Sequence, residues 1–482
     1  MIPLGDRAFR FTIPNTASRR AVFAALRAIP GVHDVVLTEE IGCVAHHGGV
    51  DPSAIERVLR APESTDDETS SKEHAIAVAY DGPDLDAVAE RIGLSREALI
   101  ALHAEREYTV AMLGFLPGFA YLRGLDPKLV LPRRDTPRPR VPPNSVGIAA
   151  EYTGIYPFAS PGGWHLLGRA IDFAPLKEHG ATLAAGDRVR FVPTTKQPDE
   201  PAARGEWLAP PKGPHLEIAS LRGVGLLVDG GRLGHMHEGV PEGGPLVASA
   251  LARANTAVGN ANGACAIELL GELRVVAHGS IRLAADDGNA IALADGQTHT
   301  IATSPNDRVR YLAIEGGIDA PVFLGGRGTL LVANIGRPLK RGDLLGTSEH
   351  AASTPLDPAR LVDRTIDRIP ISAGPDVDAN ALSLALTTAS FRIAPTSDRT
   401  GTRLEGPKLA IATDPKRASR PMVLGAIELT PSGLIVLGPD HPTTGGYPLV
   451  GIVQAHALDS FFQRPPNARM SFRVAHTPPE SA

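Results

Sequence analysis

Glycine and proline are the residues that most restrict what this chain can fold into. The sequence holds 50 glycines and 43 prolines among 482 residues, and they are spread along its whole length. Both residues interrupt helices and favour turns, so long helices are excluded from most of the chain. This composition predicts many short strands joined by turns.

Only a few segments have the apolar spacing of a helix. We predict helices over residues 21–29, 52–59, 84–92, 95–104 and 245–258, and Ser95 is a suitable N-cap for the fourth. Short alternating or apolar segments predict strands over residues 75–79, 108–115, 188–192, 218–228, 273–277 and 308–314. The expected fold class is therefore mainly β with some α+β.

Two stretches of biased composition divide the chain. Residues 61–73 are small, polar and charged, which is typical of a flexible connector. Residues 193–214 hold six prolines and no apolar periodicity, which predicts a semi-rigid linker. We predict a small α+β unit at residues 1–70, a first domain at 74–195 and a Pro-rich linker at 196–214. A second module follows at 215–482, and a break at 348–358 divides it into two halves.

The charge and cysteine content limit the class of protein. A net charge of -5 argues against a nucleic-acid partner, because binding phosphates requires an excess of Lys and Arg. Cys43 and Cys265 are the only cysteines, and we expect both to be reduced and buried. Asp6 and Arg7 interrupt any export signal, and no charge-free apolar run approaches the roughly 20 residues of a membrane helix. We expect a soluble, cytoplasmic protein that acts on a small polar molecule and can form a homo-oligomer.

The most distinctive stretch lies between Tyr108 and Gly168. It contains GFLPGFAYL (114–122), LPRRDTPRPRVPPNSVGIA (131–149) and TGIYPFASPGGWHLLGR (153–169). Aromatic residues are concentrated there although they make up only 5% of the chain. Clustered glycines and prolines fix turns and allow the backbone to approach a ligand closely.

These motifs resemble the allophanate hydrolase subunit 1 family, whose pattern includes GF-x-PGF-x-YL, PRR-x-x-PR and SPGGW. The resemblance covers about residues 74–195 and includes His103, Tyr108, Arg133, Arg134, Arg138, Ser160 and Trp164. Asn144 and Ala150 stand where the family has glycine.

Residues 216–470 resemble allophanate hydrolase subunit 2. The resemblance rests on SDRTGTRLEGP (397–407) and PTTGGYPLVG (442–451). Val228 and Val247 replace a usual glutamine and a usual aspartate in the first half of this module. The chain is thus similar to the two subunits joined end to end.

The resemblance implies cyclophilin-like β-barrel domains and one of three functions. Family members are the B-type and C-type subunits of 5-oxoprolinase, or the carboxyltransferase part of urea carboxylase. A complete pair of modules without a biotin-carrier lysine motif favours 5-oxoprolinase. That enzyme would open 5-oxo-L-proline to L-glutamate with ATP, Mg²⁺ and a separate partner subunit. The alternatives are a carboxyltransferase component of a biotin-dependent, urea carboxylase-like system and a kinase-inhibitory regulatory binding protein. No biotin is expected on this chain.

Several residues in these motifs are suited to bind an oxyanion, an amide or a lactam. Arginines supply cations, and a Gly-rich turn supplies amides and hydroxyls, although a solvated basic loop or a plain tight turn would look the same. The candidate binding residues are Arg133, Arg134, Arg138, Ser160, Gly162, Gly163, Trp164, Arg232, Arg403, Thr443, Thr444, Gly445, Gly446 and Tyr447.

Four residues are candidates for catalysis: His103, Tyr108, Asp398 and Arg399. His103 could transfer protons near neutral pH or could cap the helix that it ends. Asp398 and Arg399 could instead form a structural ion pair. His46 with His47, and His235 with His237, each lack a third ligand at clear spacing, so no metal site is predicted.

Overall fold

The computed structural model describes residues 1–14, 19–60, 71–197, 207–347, 353–362, 365–376, 385–409 and 418–475. Its architecture is mainly β, with a small amino-terminal α+β unit and two closed seven-stranded barrels. The fold class predicted from the sequence is confirmed. None of the helices in the described ranges is long and apolar enough to cross a membrane.

The amino-terminal unit is a four-stranded antiparallel sheet with two helices. Its elements are β1 (Ile2–Leu4), β2 (Ala8–Thr12), α1 (Arg19–Arg27), β3 (Val32–Leu37), β4 (Ile41–His46) and α2 (Pro52–Arg60), and the sheet order is β1-β2-β4-β3. Phe11, Val22, Leu26 and Ile55 are buried together between sheet and helices. Apolar residues at helical spacing in α1 and α2 thus form the core of this unit.

The next unit is the first closed barrel. Its elements are β5 (Glu73–Ala79), α3 (Leu85–Ile92), α4 (Arg96–Ala104), β6 (Glu107–Leu113), β7 (Ala120–Arg123), β8 (Arg138–Val141), β9 (Ser145–Ala149), β10 (Tyr152–Ile155), β11 (Ser160–Gly162), β12 (His165–Ala170), β13 (Leu176–Lys177), β14 (Gly180–Ala181) and β15 (Arg188–Pro193). The barrel order is β10-β7-β6-β15-β5-β12-β9, and the pair β8 and β11 lies outside it. Ser95 caps α4 as predicted, because its hydroxyl accepts a hydrogen bond from Ala98 N at 3.2 Å.

A seven-stranded sheet follows. Its elements are β16 (His215–Val228), α5 (Ala248–Ala257), β17 (Ala266–His278), β18 (Ile281–Ala285), β19 (Ala290–Leu293), β20 (Thr298–Ala302), β21 (Arg310–Ile314) and β22 (Leu344–Gly346). Strands β16 and β17 pair along nearly their whole length. Their alternate side chains fill one continuous apolar core.

The last unit is the second closed barrel. Its elements are β23 (Arg368–Ala373), β24 (Phe391–Ile393), β25 (Gly401–Glu405), β26 (Arg420–Pro421), β27 (Ala426–Thr430), β28 (Gly433–Leu437), β29 (Thr444–Gly445), β30 (Leu449–Val453), α6 (Ala455–Phe462) and β31 (Arg469–Val474). The barrel order is β23-β30-β27-β28-β25-β24-β31. A single apolar cluster joins α5 and β21 to the interior of this barrel, so the two halves of the second module share a core.

All five predicted helices are confirmed, with ends shifted by at most three residues, and the six predicted strands overlap observed ones. Helix α6 was not predicted. Most of the predicted connector at 61–73, and residues 198–206 of the predicted linker at 196–214, lie outside the described residues. The domain boundaries remain predictions, because the shared core does not by itself place them.

Candidate functional site

An aromatic cluster lies against the outside of the first barrel, and two of the predicted motifs, at 114–122 and 153–169, contribute its rings. Phe115 and Phe119 pack edge to face with ring centroids 5.6 Å apart, and Phe119 packs in the same way on Trp164 at 5.3 Å. Tyr156 contacts both phenylalanines. These rings form a rigid apolar wall. The hydroxyl of Tyr156 lies against Gly162 of β11, since a Cβ added at Gly162 would lie 2.5 Å from the hydroxyl oxygen.

Two of the predicted arginines share one carboxylate beside this wall. Asp84 Oδ1 accepts hydrogen bonds from Arg134 at 2.9 Å and from Arg138 at 2.7 Å, and Asp84 Oδ2 accepts from Leu166 N at 2.7 Å. Burial alone would raise the pKa of Asp84, but the bonds from Arg138 and Leu166 hold it below its ordinary value. Arg134 and Arg138 carry two positive charges and Asp84 carries one negative charge, so an excess positive charge remains here.

Further donors in the same motifs have no hydrogen-bond partner among the described residues. Arg134 Nε, Arg138 Nη1 and Ser160 Oγ are buried, and no described residue forms a hydrogen bond with them. Arg133 is exposed and forms no hydrogen bond or ion pair within the described ranges, and its Cβ lies 3.8 Å from the position of a Cβ added at Gly163. Buried donors without partners are costly, so this set of donors fits an anion or a carbonyl oxygen.

The Gly-rich turn of the second module meets the first module at this cluster. Thr444 Oγ1 in β29 accepts a hydrogen bond from Phe115 N at 3.0 Å. Thr443 Oγ1 is buried without a described partner, whereas the Tyr447 side chain is exposed. The GFLPGF and TTGGY motifs, which are more than 300 residues apart in sequence, are therefore in direct contact. We call the group formed by Phe115, Arg133, Tyr156, Ser160 and Thr444 the junction site; Tyr156, Ser160 and Thr444 in it are buried.

Behind this turn lies a carboxyl group that was not predicted as a site residue. Glu428 in β27 is 8% exposed, and a Cβ added at Gly445 would lie 3.0 Å from its Oε1. Burial raises the pKa of Glu428 to about 7. A carboxyl group that titrates near neutrality is suited to general acid or base catalysis.

Comparison with known proteins gives the family. The carboxyltransferase domain model for subdomains C and D matches residues 1–180, and the model for subdomains A and B matches residues 238–474. The B-type subunit of the 5-oxoprolinase of Escherichia coli O157:H7 is 41% identical over 174 residues, which cover 35% of this chain and 78% of that protein. The chain belongs to the carboxyltransferase-domain family.

Other relatives of this carboxyltransferase-domain protein match its second module or its whole length. The C-type subunit of the 5-oxoprolinase of Escherichia coli K12 is 32% identical over 249 residues, covering 47% of this chain and 80% of that protein. A urea amidolyase of Lachancea kluyveri is 30% identical over 288 residues, which are half of this chain but 16% of that protein. The crystal structure of TTHA0988 has a TM-score of 0.82 and 33% identity, and the match covers 97% of this chain and 99% of that one. The resemblance predicted from the motifs is confirmed.

Two of the four predicted catalytic residues of this carboxyltransferase-domain chain lie inside the first barrel. His103 is fully buried, with Nδ1 bonded to the Tyr80 hydroxyl at 2.7 Å and Nε2 bonded to Thr153 Oγ1 at 2.9 Å. Burial lowers the pKa of His103 to about 3. The Tyr108 hydroxyl donates to the His103 carbonyl at 2.7 Å. These contacts hold His103 and Tyr108 in the core of the first barrel, and neither residue belongs to the junction site.

The other two predicted catalytic residues are placed differently from each other. Arg399 binds Asp440 through two hydrogen bonds of 2.9 Å, Glu268 at 2.6 Å and the Gly244 carbonyl at 2.6 Å. It therefore joins the two halves of the second module. Asp398 is exposed and accepts from the backbone of Thr400 and Gly401, which stabilises the turn before β25.

Two predicted binding arginines also lie outside the junction site. Arg232 is 1% exposed and donates to the Phe323 carbonyl at 2.9 Å. Arg403 lies on the exposed face of β25. Val228 and Val247, where the resemblance predicts polar residues, are buried in the shared core and add to its apolar contacts.

Proposed function

We propose that this chain is a component of an ATP-dependent 5-oxoprolinase that opens 5-oxo-L-proline to L-glutamate together with a separate partner subunit. One observation carries the proposal: relatives named as two different subunits of 5-oxoprolinase, the B-type and the C-type, both match this single chain. The junction site adds chemical support, because its residues come from both modules.

The proposed reaction needs a phosphoryl donor and two molecules of water. The lactam oxygen would attack the γ-phosphorus of ATP, and ADP would leave. Water would then add to the activated carbon, the ring C–N bond would break, and a second water would release phosphate. Arg133 and the unpartnered donors of Arg138 and Ser160 would bind the oxyanions, since charge-assisted bonds to such groups are strong.

Glu428 would move protons in this scheme. Its neutral form would protonate the departing ring nitrogen, and its carboxylate would accept a proton from the attacking water. Mg²⁺ would accompany ATP as in other phosphoryl transfers. ATP binding and the position of the nucleotide are parts of this proposal.

The test is co-expression with a candidate partner subunit and measurement of ADP release that depends on 5-oxoproline. We expect Arg133→Met to lower kcat/KM by about 10- to 100-fold, which corresponds to about 1.4–2.7 kcal/mol of transition-state binding. Arg222→Met is the matched control, because Arg222 is an exposed arginine on β16 that pairs with Glu272 at 3.7 Å. ADP release that does not respond to 5-oxoproline would contradict the proposal.

A second candidate function is favoured by the family models themselves. Both are models of carboxyltransferase domains, and a urea amidolyase is among the relatives. In that case the junction site would bind a urea or a related amide, and a separate biotinylated protein would deliver the carboxyl group. Recovery of a biotinylated protein with this chain, together with transfer of its carboxyl group to urea, would favour this function.

A further inference from the structure

Three potential metal ligands converge where the amino-terminal unit meets the second module. They are His33 in β3, His47 directly after β4, and Glu242 in the loop GVPEGG. One ligand atom from each lies within 4.8 Å of the other two. His33 Nε2 is 2.7 Å from Glu242 Oε1, and the ring centroids of His33 and His47 are 4.3 Å apart.

The backbone holds two of these side chains in place. The register of β3 against β4 shifts between Val32 and Asp34, so His33 is the extra residue of a β-bulge. Bulges re-aim a side chain, and here the imidazole faces the other module. Glu242 is fixed because its carbonyl accepts from Arg232 N at 2.7 Å and the next amide, Gly243 N, donates to the Pro439 carbonyl at 3.0 Å.

The surroundings leave room for an ion and one further ligand. All three side chains line a cavity of about 80 Å³, which exceeds the share of liquid volume that one water takes up, about 30 Å³. His33 Nδ1 is buried and has no hydrogen-bond partner among the described residues. The cavity is thus polar on the side of the three ligands.

The ligand types determine the class of ion. Imidazole nitrogen and carboxylate oxygen suit Zn²⁺ and similar transition metals, whereas Mg²⁺ and Ca²⁺ prefer oxygen ligands. Tetrahedral bonds of about 2.0–2.2 Å place ligand atoms about 3.4 Å apart, so small side-chain movements from the observed arrangement are sufficient. Two imidazoles and one carboxylate leave a fourth position for water or a small ligand.

We propose that His33, His47 and Glu242 bind one Zn²⁺-type divalent ion that joins the amino-terminal unit to the second module, with its fourth position open to the cavity. This site is separate from the junction site and does not depend on the activity proposed above. Because its ligands come from both units, the ion stabilises their contact.

The first test uses the untagged full-length chain after treatment with a chelator. We expect dialysis against Zn²⁺ to give one bound equivalent by mass spectrometry of metals, and Co²⁺ to give the visible absorption of a tetrahedral site. Zn²⁺ should also raise the thermal midpoint of unfolding. A wild-type chain that retains no stoichiometric metal would overturn the proposal without any variant.

The second test compares variants with a matched control. His47→Ala and Glu242→Gln should each weaken Zn²⁺ binding at least about tenfold, since loss of even an outer-shell partner costs about 10–100-fold. His278→Ala is the control, because His278 is a partly exposed histidine that stacks on His215 and bonds to Glu217 at 2.8 Å. Circular dichroism establishes that each variant is folded. Unchanged binding in both folded ligand variants would overturn the assignment.

Discussion

Glu428 is buried behind the TTGGY turn, and its pKa lies near neutrality. Its carboxyl group accepts no hydrogen bond from another described residue, and burial is the cause of its raised pKa of about 7. Relative to an ordinary glutamate value of 4.5, this shift corresponds to about 3 kcal/mol at high pH. Strongly shifted pKa values are common at functional sites, and proton transfer at the junction site is the function that we propose for Glu428.

Replacing Glu428 by glutamine should stabilise the folded chain at high pH. Below about pH 4.5 the carboxyl is neutral in both states, and between about pH 4.5 and 7 only the unfolded chain loses the proton, so the free energy of unfolding falls as pH rises. Glu428→Gln removes this fall. Urea unfolding should show a gain of up to about 3 kcal/mol near pH 8 and less than about 1 kcal/mol near pH 5.

The same variant should lose substrate-dependent turnover, because an amide cannot transfer the proton. Glu272→Gln is the control, since Glu272 lies on β17 next to Arg222 and is partly exposed. A Glu428→Gln chain with the same pH dependence of stability as wild type would contradict the assigned pKa.

Sequence motifs contain the residues of the junction site but not Glu428, which lies behind it. Arg133, Ser160 and Thr444 belong to contiguous patterns, and the aromatic cluster that Thr444 contacts through Phe115 N also includes Tyr156, whose hydroxyl lies against Gly162. Glu428 stands in an ordinary strand pattern, and nothing local in the sequence distinguishes a carboxylate that points into a buried contact from one that points into solvent. His103 is the opposite case, because a chemically suitable residue in a motif is held in the core by bonds to Tyr80 and Thr153.

At the scale of elements, the local sequence predicted those helices and strands whose formation depends on local interactions. Helices α1 to α5 follow from apolar spacing and, for α4, from the Ser95 cap. Helix α6 was missed because its sequence, AHALDSFF, is short and only Gln454 separates it from the apolar strand β30. Its buried residues show that tertiary packing stabilises it.

Two loop positions at which the resemblance predicts glycine have a left-handed backbone. Asn144 and Ala150 have φ values of +60° and +48°. This left-handed region favours glycine, and asparagine tolerates it better than alanine does. Asn144 also donates from its side chain to the Phe173 carbonyl at 3.1 Å, which stabilises its turn. Both positions thus have the left-handed backbone that the predicted glycines would favour.

Gly114, at the end of β6, determines how closely the two motif loops approach. A Cβ added there would overlap the side chain of Thr444, which also accepts the hydrogen bond from Phe115 N. We expect Gly114→Ala to destabilise the chain by about 1–3 kcal/mol, as overpacking usually does. The effect should be seen as faster amide hydrogen exchange in peptides covering residues 114–122 and 442–451.

Gly213→Ala is the matched control for this variant. An added Cβ at Gly213 meets no atom within 4 Å, and its backbone is not in the left-handed region. It should leave exchange in both peptides unchanged. Equal exchange in the Gly114→Ala and Gly213→Ala chains would show that the two loops do not depend on this contact.

At the scale of the whole molecule, the amino-terminal unit is attached to both parts of the second module. Asp34 accepts hydrogen bonds from Gly234 N at 3.0 Å and Met236 N at 2.9 Å. Arg10 pairs with Asp376 at 3.0 Å, and both side chains are buried. Leu4, Ala8 and Cys43 share an apolar cluster with residues on the outside of the second barrel, including Met422 and Ile452. These contacts hold the two modules together independently of the connecting chain.

The two modules should therefore stay associated when the chain is cut between Gln197 and Trp207. We expect a protease site inserted there to give two fragments that elute together in size-exclusion chromatography at micromolar concentration, because buried apolar area opposes separation. The double variant Arg10→Ala, Asp34→Ala leaves Gly234 N and Met236 N without their acceptor, so its fragments should separate at least about tenfold more readily. The uncut double variant controls for unfolding. Separate elution of the wild-type fragments would show that the linker, and not the interface, keeps the modules together.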